Sequence, residues 1–228
     1  MIEKSSPWHS YALQDRPSRS GSLPPPERFE WGTAPGMGPG TPVLGQELRR
    51  RRILELGCGY GRNAAHLAGL HGAEVTAVDL VDLQIKQANE SYGRLAGLTF
   101  VTFDALDFLN LGRSEFDVVY SVFGAVGLVS PSLLLAAVAR RLRRQGILAF
   151  SVPHPSRGGI PRARGAQPRP DLLPLPGGPG RPVARWELDE QGWRSALGTA
   201  GMRIVRTFEL GTSPRAQPNT LMIVARRN

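Results

Sequence analysis

The sequence predicts an α/β protein with a doubly wound, mostly parallel seven-stranded sheet that ends in a C-terminal antiparallel hairpin. From residue 51 onward, short apolar segments alternate with longer amphipathic ones, a pattern typical of strands joined by crossover helices. The last two apolar segments are separated only by a short polar turn, which allows antiparallel pairing alone. At 228 residues the chain is long enough to bury the core of such a domain.

Each element is predicted from its apolar pattern and its boundary residues. Five strands are expected at 52–56, 74–79, 98–103, 116–121 and 147–152. Helices are expected at 62–70, 82–96 and 130–144, and Ser130 followed by Pro131 is a typical helix start. A last helix at 189–199 leads into the hairpin strands 202–210 and 220–226. Right-handed crossovers would then place helices on both faces of the sheet.

Two stretches do not follow this rhythm. Residues 1–46 are predicted to form an irregular N-terminal arm before a domain at 47–228, and the arm carries the aromatic residues Trp8, Tyr11 and Trp31. The arm could be a disordered or loosely packed leader or a lid over the site, and because aromatic residues are uncommon in disordered tails, we favour the lid. Residues 155–183 contain eight prolines, six glycines and five arginines, which predicts a loop inserted after the fifth strand. Loops of this length are usually functional or disordered.

Composition limits the classes of partner. The net charge is +9, yet all the basic residues except Lys4 and Lys86 are arginines, and they are dispersed without aromatic residues between them. Nucleic-acid binding normally combines basic and aromatic side chains, so we predict no nucleic-acid partner. The four histidines lack the spacing of zinc ligands, and no metal is predicted.

The expected location is the cytoplasm. Cys58 is the single cysteine, so no internal disulfide can form. No apolar run is long enough to cross a membrane, and the first ten residues lack the apolar core of a signal peptide.

The strongest chemical signal lies where the first strand meets the first helix. Residues 55–61 read Glu-Leu-Gly-Cys-Gly-Tyr-Gly, with glycines at 57, 59 and 61. Glycines spaced this closely let a ligand lie against bare backbone, and the following helix offers it N–H groups and a positive dipole end. Glu55 interrupts an otherwise apolar strand. A buried carboxylate needs a partner, and a cationic ligand could provide one.

Two further acids point to the kind of ligand. Asp79 and Asp104 end the second and third strands, at the rim where open α/β sheets bind ligands. A nicotinamide site would have G-x-G-x-x-G, but here the third glycine comes one place early. A cofactor with an amino group, a ribose and an adenine but no pyrophosphate fits better, and S-adenosylmethionine is such a molecule. The ordinary interpretations are a helix cap at Asp104 and an Asx turn at Asp79.

These residues give the chain a family resemblance. From about residue 51 to residue 228 it resembles the class I S-adenosylmethionine-dependent methyltransferases, through residues 55–61, 78–80, 103–105 and 116–121, the arginine-rich run that ends at Gly146, and the terminal hairpin. The resemblance implies a Rossmann-like methyltransferase fold. The chain has Arg-Gln-Gly-Ile at 144–147, where the family often has Arg-Pro-Gly-Gly.

The resemblance also implies roles for individual residues. The glycine turn would hold the methionine part with Glu55 near its amino group, Asp79 the ribose, and Asp104 with Ala105 the adenine; Ser121 and Val122 would line the side where the acceptor enters. The implied cofactor-binding set is Glu55, Gly57, Cys58, Gly59, Gly61, Asp79, Leu80, Asp104, Ala105, Ser121 and Val122.

The acceptor side is less sharply predicted. His154 follows the fifth strand between two prolines, and an imidazole there could act as a general base or orient the acceptor. Trp8, Tyr11 and Trp31 are candidate lid residues. The chain is similar to small-molecule methyltransferases of actinomycete secondary metabolism, which implies methyl transfer to oxygen or nitrogen of a natural-product-like acceptor. One alternative is a cofactor-binding member that does not methylate, such as a cyclase or a binding subunit. An NAD-dependent oxidoreductase and a nucleic-acid methyltransferase are less favoured.

Overall fold

The computed structural model describes residues 6–14, 21–157, 167–175, 177–211 and 217–228. The strands are β1 (Arg52–Leu56), β2 (Glu74–Asp79), β3 (Leu98–Thr102), β4 (Phe116–Val122), β5 (Leu142–Pro153), β6 (Arg169–Leu175), β7 (Gly178–Arg185), β8 (Met202–Leu210) and β9 (Thr220–Arg227). The helices are α1 (Pro7–Gln14), α2 (Arg62–His71), α3 (Asp82–Tyr92), α4 (Ala105–Leu111), α5 (Pro131–Arg141) and α6 (Glu190–Thr199), with a 3-10 helix at Thr41–Leu44.

Seven of the strands form one sheet in the order β3-β2-β1-β4-β5-β9-β8. Strands β1 to β5 pair in parallel, while β9 runs antiparallel to both β5 and β8. The predicted fold class is therefore confirmed. The strand order reverses between β1 and β4, and such a switch point is where open α/β sheets bind ligands.

Both faces of the sheet are covered, as a parallel sheet requires. On one face Leu54 and Leu56 pack in a cluster with Phe150 and Trp193. On the other face Ile53 packs in a second cluster that includes residues of α2 and residues of the N-terminal arm. The arm residues in that cluster are Phe29, Trp31, Val43 and Leu44, and Leu48 joins them from just beyond the arm. Part of the predicted irregular arm therefore packs into the core, with a 3-10 helix as its regular structure between residues 26 and 48.

Two helices end earlier than predicted. Helix α3 ends at Tyr92 instead of residue 96, and α5 ends at Arg141 instead of residue 144. Beyond α5 the chain is already extended, and Arg143 lies 2.8 Å from Asp117, which also pairs with Arg51 at 3.3 Å. Arg143 therefore pairs with a carboxylate on β4 and does not sit on a helix terminus.

The predicted loop 155–183 contains regular structure. Strands β6 and β7 form a separate two-stranded antiparallel sheet around Gly177, whose φ is +70°. Each strand of a two-stranded sheet has one free edge, and prolines are tolerated there, so a proline-rich composition hid the hairpin. Residues 158–166 lie outside the described part. No helix in the described ranges is long and apolar enough to cross a membrane.

Candidate functional site

The glycine turn between β1 and α2 packs closely against other elements at its first and last glycines. Gly57, Gly59 and Gly61 all have positive φ, of 78°, 55° and 82°. A Cβ on Gly57 would lie 2.6 Å from the Gly124 Cα, and one on Gly61 would lie 2.4 Å from the ring of Phe100. The outer two glycines are therefore required by packing against β3 and the turn after β4.

Gly59 differs from the other two glycines because open space lies beyond it. A Cβ built there would have a single atom within 4 Å, Oε1 of Gln84 at 3.8 Å. Its backbone N–H donates to Oδ2 of Asp79 at 2.8 Å. Neighbouring Cys58 is buried, and burial raises the pKa of its thiol. The middle of the turn is therefore where a ligand could approach the backbone.

Asp79 is fixed at the end of β2 by two backbone bonds. Besides the bond from Gly59, its Oδ1 accepts the N–H of Val81 at 2.9 Å. Burial raises the pKa of Asp79, and these backbone donors oppose that rise. The next residue, Leu80, exposes its side chain at the rim. The geometry gives an oriented carboxylate next to an apolar side chain.

Glu55 is buried under the same turn. Burial raises its pKa to about 8; the Tyr120 hydroxyl lowers it in part, and the negative charge of Asp79 adds to the rise. Oε2 of Glu55 and the hydroxyl of Tyr120 are both buried, and neither makes a hydrogen bond of normal geometry with the residues that the structure describes. Tyr120 is nevertheless the group that does most to lower the pKa of the Glu55 carboxyl. At neutral pH the carboxyl is mostly protonated.

Asp104 has the ordinary role of a helix cap. Its Oδ1 accepts the N–H groups of Leu106 at 2.8 Å and Asp107 at 3.0 Å, at the start of α4. Ala105 is the first residue of that helix and is buried. This helix N-cap holds Asp104 and Ala105 at the rim beyond β3. Their contact with adenine stays a prediction.

The two predicted residues at the end of β4 differ in position. Ser121 is fully buried; its hydroxyl donates to the Leu56 carbonyl at 2.8 Å and accepts the Val126 N–H at 3.4 Å. It supports the rim from beneath. Val122 is half-buried at the strand end. The next residue, Phe123, has a φ of +50°, a conformation that costs a residue with a side chain about 1–2 kcal/mol.

His154 lies just beyond β5 and is buried. Its Nδ1 accepts the Ser156 N–H at 3.1 Å, so the proton of the neutral ring is on Nε2, which faces Oε1 of Glu209 at 3.4 Å. Both ring nitrogens thus have protein partners. The other two described histidines beside the sheet, His66 and His71, contact each other through Nε2 atoms 3.2 Å apart. His66 Nδ1 also donates to the Pro26 carbonyl at 2.7 Å, which anchors the arm.

The three predicted lid aromatics do not lie together. Trp31 is fully buried, its Nε1 donates to the Gly40 carbonyl at 2.7 Å, and its ring packs against Phe29 at 4.8 Å. Trp8 lies on α1, where the Arg185 guanidinium stands over its ring at 5.9 Å. Tyr11 is half-buried on the same helix. Helix α1 contacts α3 and the β6–β7 hairpin. We call α1 and this hairpin together the cap. Trp8 and Tyr11 belong to the cap, whereas Trp31 belongs to the core.

A match to a known family covers the centre of the chain. Residues 54–150, from β1 to β5, match a family described as "Methyltransferase domain". The central part of the chain therefore resembles a methyltransferase domain. The prediction made from the glycine turn and the three acids is thereby confirmed at the level of the domain.

Individual relatives agree with the domain. The O-methyltransferase cnsE of Penicillium expansum is 37% identical over 94 residues, which are 40% of this chain and 34% of that protein. The chain therefore spans about a third of the length of that curated relative. A solved S-adenosylmethionine dependent methyltransferase from Mesorhizobium loti has the same fold, with a TM-score of 0.62, 23% identity, and coverage of 81% of this chain and 94% of that one.

A second solved structure has its ligands bound. It is the 1,6-didemethyltoxoflavin-N1-methyltransferase of Burkholderia thailandensis with 1,6-didemethyltoxoflavin and S-adenosylhomocysteine, at a TM-score of 0.58, 22% identity and coverage of 79% of this chain and 72% of that one. Its likeness to this chain shows the fold.

The residues of this matched region fit S-adenosylmethionine. Space opens above Gly59, an oriented carboxylate at Asp79 borders it, and a buried carboxyl oxygen of Glu55 has no hydrogen-bond partner among the described residues. Sequence reasoning missed Gln84 and Phe123, which lie at this rim. No group of three or more His, Cys, Asp or Glu side chains in the described ranges could hold a metal ion.

Proposed function

We propose that the protein is an S-adenosylmethionine-dependent methyltransferase that methylates oxygen or nitrogen of a small, natural-product-like molecule. The observation that carries the proposal is the rim where Gly59, Asp79 and Glu55 meet inside a methyltransferase domain. The named activities of the two relatives, O-methylation and N1-methylation of a small heterocycle, support this acceptor class. A cytoplasmic location and the absence of a nucleic-acid partner remain predictions.

The chain's own residues would bind the cofactor and orient it toward the acceptor. When bound, the cofactor supplies an electrophilic methyl group on a sulfonium, and the reaction is an in-line displacement. The Gly59 backbone would lie against the methionine part, and Asp79 would accept the ribose hydroxyls. Holding donor and acceptor in line can supply most of the acceleration. Glu55 would place a carboxyl beneath the ammonium group.

His154 would orient the acceptor or take its proton. Because both ring nitrogens already have partners, Glu209 and the Ser156 N–H, His154 must release one contact before it can accept a proton. The Nε2–H that points at Glu209 is polarised by that carboxylate, which is exposed. An acceptor hydroxyl that displaces Glu209 would accept this N–H and be oriented by it. To take the acceptor's proton, Nε2 would first have to lose its own proton to Nδ1, which requires release of the Ser156 N–H.

The cap would enclose the reaction. Helix α1 and the β6–β7 hairpin contact each other, and α1 also lies against α3, which begins beside Asp79. We assign the predicted lid to these two elements. Exclusion of water strengthens the electrostatic contacts of a site.

The experiment combines cofactor binding with product formation. The protein is titrated calorimetrically with S-adenosylhomocysteine and with NAD, then incubated with labelled S-adenosylmethionine and a panel of phenols and amines. Asp79→Asn should weaken S-adenosylhomocysteine binding about tenfold to a hundredfold, because a charge-assisted hydrogen bond is worth about 1.5–3 kcal/mol. His154→Ala should leave that affinity unchanged and sharply lower turnover.

Asp82→Asn is the matched control, since Asp82 is exposed at the start of α3 and bonds only the neighbouring Leu83 N–H in the described contacts. Its binding should equal that of the original protein. Binding of NAD in place of S-adenosylhomocysteine would refute the proposal. Cofactor binding without any labelled product would favour the non-methylating alternative.

A further inference from the structure

A buried amide on α3 faces the glycine turn. Gln84 is 4% exposed, and its Oε1 has no hydrogen-bond partner among the described residues. Burying an unpaired polar atom costs about 1–3 kcal/mol, and native structures rarely retain one without a reason. The orphaned oxygen therefore indicates a partner that the described residues do not provide.

The position of this oxygen identifies the missing partner. Oε1 of Gln84 is the single atom within 4 Å of a Cβ built on Gly59, at 3.8 Å. Gly59 donates its N–H to Asp79, so Gln84 and Asp79 border the same middle glycine. A ligand group that reaches Asp79 would pass within reach of Gln84.

We infer that Gln84 is a further cofactor-binding residue, whose amide oxygen accepts a hydrogen bond from a ribose hydroxyl beside Asp79. The inference rests on the proposed function. Both oxygens of Asp79 already accept a backbone N–H, whereas Oε1 of Gln84 has its full accepting capacity. The two side chains would divide the two hydroxyls of the ribose between a carboxylate and an amide.

The neighbouring glutamine on α3 has a different task. Gln87 follows one turn later, and its Nε2 donates to the Ala12 carbonyl of α1 at 3.5 Å. Gln84 thus faces the glycine turn while Gln87 faces the cap. The same substitution at the two positions separates a ligand contact from a general effect on α3.

The test uses Gln84→Met, which keeps the side-chain length and removes the polar atoms. Calorimetry should show a loss of S-adenosylhomocysteine affinity of roughly three- to tenfold, the worth of one neutral hydrogen bond. In the absence of ligand the variant should melt a few degrees higher, by roughly 2–4 °C, since an unpaired buried acceptor has been removed. Weaker binding together with higher stability is the expected signature.

Deoxy analogues identify the hydroxyl. With the 2′-deoxy and 3′-deoxy forms of S-adenosylhomocysteine, the difference between Gln84→Met and the original protein should vanish for one of the two. A loss that persists with both forms but vanishes with 5′-methylthioadenosine, which lacks the ammonium group, would overturn the ribose assignment. Equal losses in Gln84→Met and Gln87→Met would overturn the inference. If the original protein fails to bind S-adenosylhomocysteine at all, the proposed function fails instead.

Discussion

Glu55 shows how a single residue makes the free protein sensitive to pH. Burial raises the pKa of its carboxyl from 4.5 to about 8, so the folded protein binds a proton that the unfolded chain has released. Stability therefore falls as pH rises from about 4.5 to about 8 and levels off above that. One pKa unit corresponds to about 1.4 kcal/mol, so Glu55 alone accounts for several kcal/mol of this loss.

Glu55→Gln should remove most of that pH dependence. The amide resembles the protonated acid in shape and charge, so the variant should match the original protein near pH 5 and exceed its stability near pH 8. Urea unfolding at a series of pH values measures this difference. A parallel fall of stability with pH in both proteins would show that Glu55 is not the titrating group.

At the level of single residues, the sequence predicted positions correctly where glycines and acids mark the ends of strands. The glycines and Asp79 meet as expected because strand ends in a parallel sheet share one edge. The burial of Ser121 and of Gln84 was not predictable, because burial depends on the surroundings in three dimensions. A serine at a strand end looks like a rim residue, yet Ser121 bonds Leu56 inside the core, and an amide in a polar helix gives no signal of burial.

At the scale of elements, the N-terminal arm divides into a core segment and a cap helix. Trp31 is fully buried in the segment that covers the sheet, whereas Trp8 is half-buried on α1. Periodicity could not reveal this division, since residues 26–48 cover the sheet with scattered apolar residues and only a 3-10 turn. The alternation of strands and helices after residue 51 was predictable, because the apolar pattern of each element can be seen within a short stretch of sequence.

The two tryptophans provide a matched pair for this division. Trp31→Ala should cost about 3–5 kcal/mol of unfolding free energy, because it empties a fully buried site. Trp8→Ala should cost about 1 kcal/mol, since it mainly removes a cation–π contact with Arg185, but it should speed the release of S-adenosylhomocysteine. Urea unfolding and stopped-flow dissociation measure the two effects. Equal costs would place α1 in the core and remove it from the cap.

At the scale of the whole molecule, a partly buried ion network joins the cap to the sheet. Arg157, just after β5, pairs with Asp171 of β6 at 2.7 Å and with Glu187 at 2.5 Å. Arg185 of β7 pairs with Asp171 at 2.8 Å and also stands over Trp8 of α1. One carboxylate, Asp171, thus links the rim, the hairpin and the cap helix.

The charges on this network determine the pH below which its ion pairs are lost. Burial acts to raise the pKa of Asp171, but Arg157, the Leu172 backbone N–H and Arg185 together outweigh it and hold the pKa below its usual value. A carboxylate with a depressed pKa stabilises the fold above its ordinary pKa near 3.9 and loses that contribution as pH falls through the lower folded value. The cap should therefore stay closed at neutral pH and loosen only in acid.

Asp171→Asn should open the cap while the sheet stays folded. The amide leaves Arg185 without its carboxylate and weakens the hold of Arg157 on the hairpin, at a cost of about 1–3 kcal/mol for charged hydrogen bonds at a partly buried site. Amide hydrogen exchange should rise in α1 and in β6–β7 but stay unchanged in β1 and β4. Glu190→Gln is the control, because it breaks an exposed pair with Arg194 that is worth little. Exchange that rises equally in the central strands would show that Asp171 supports the whole fold, and the two-part cap would then have to be abandoned.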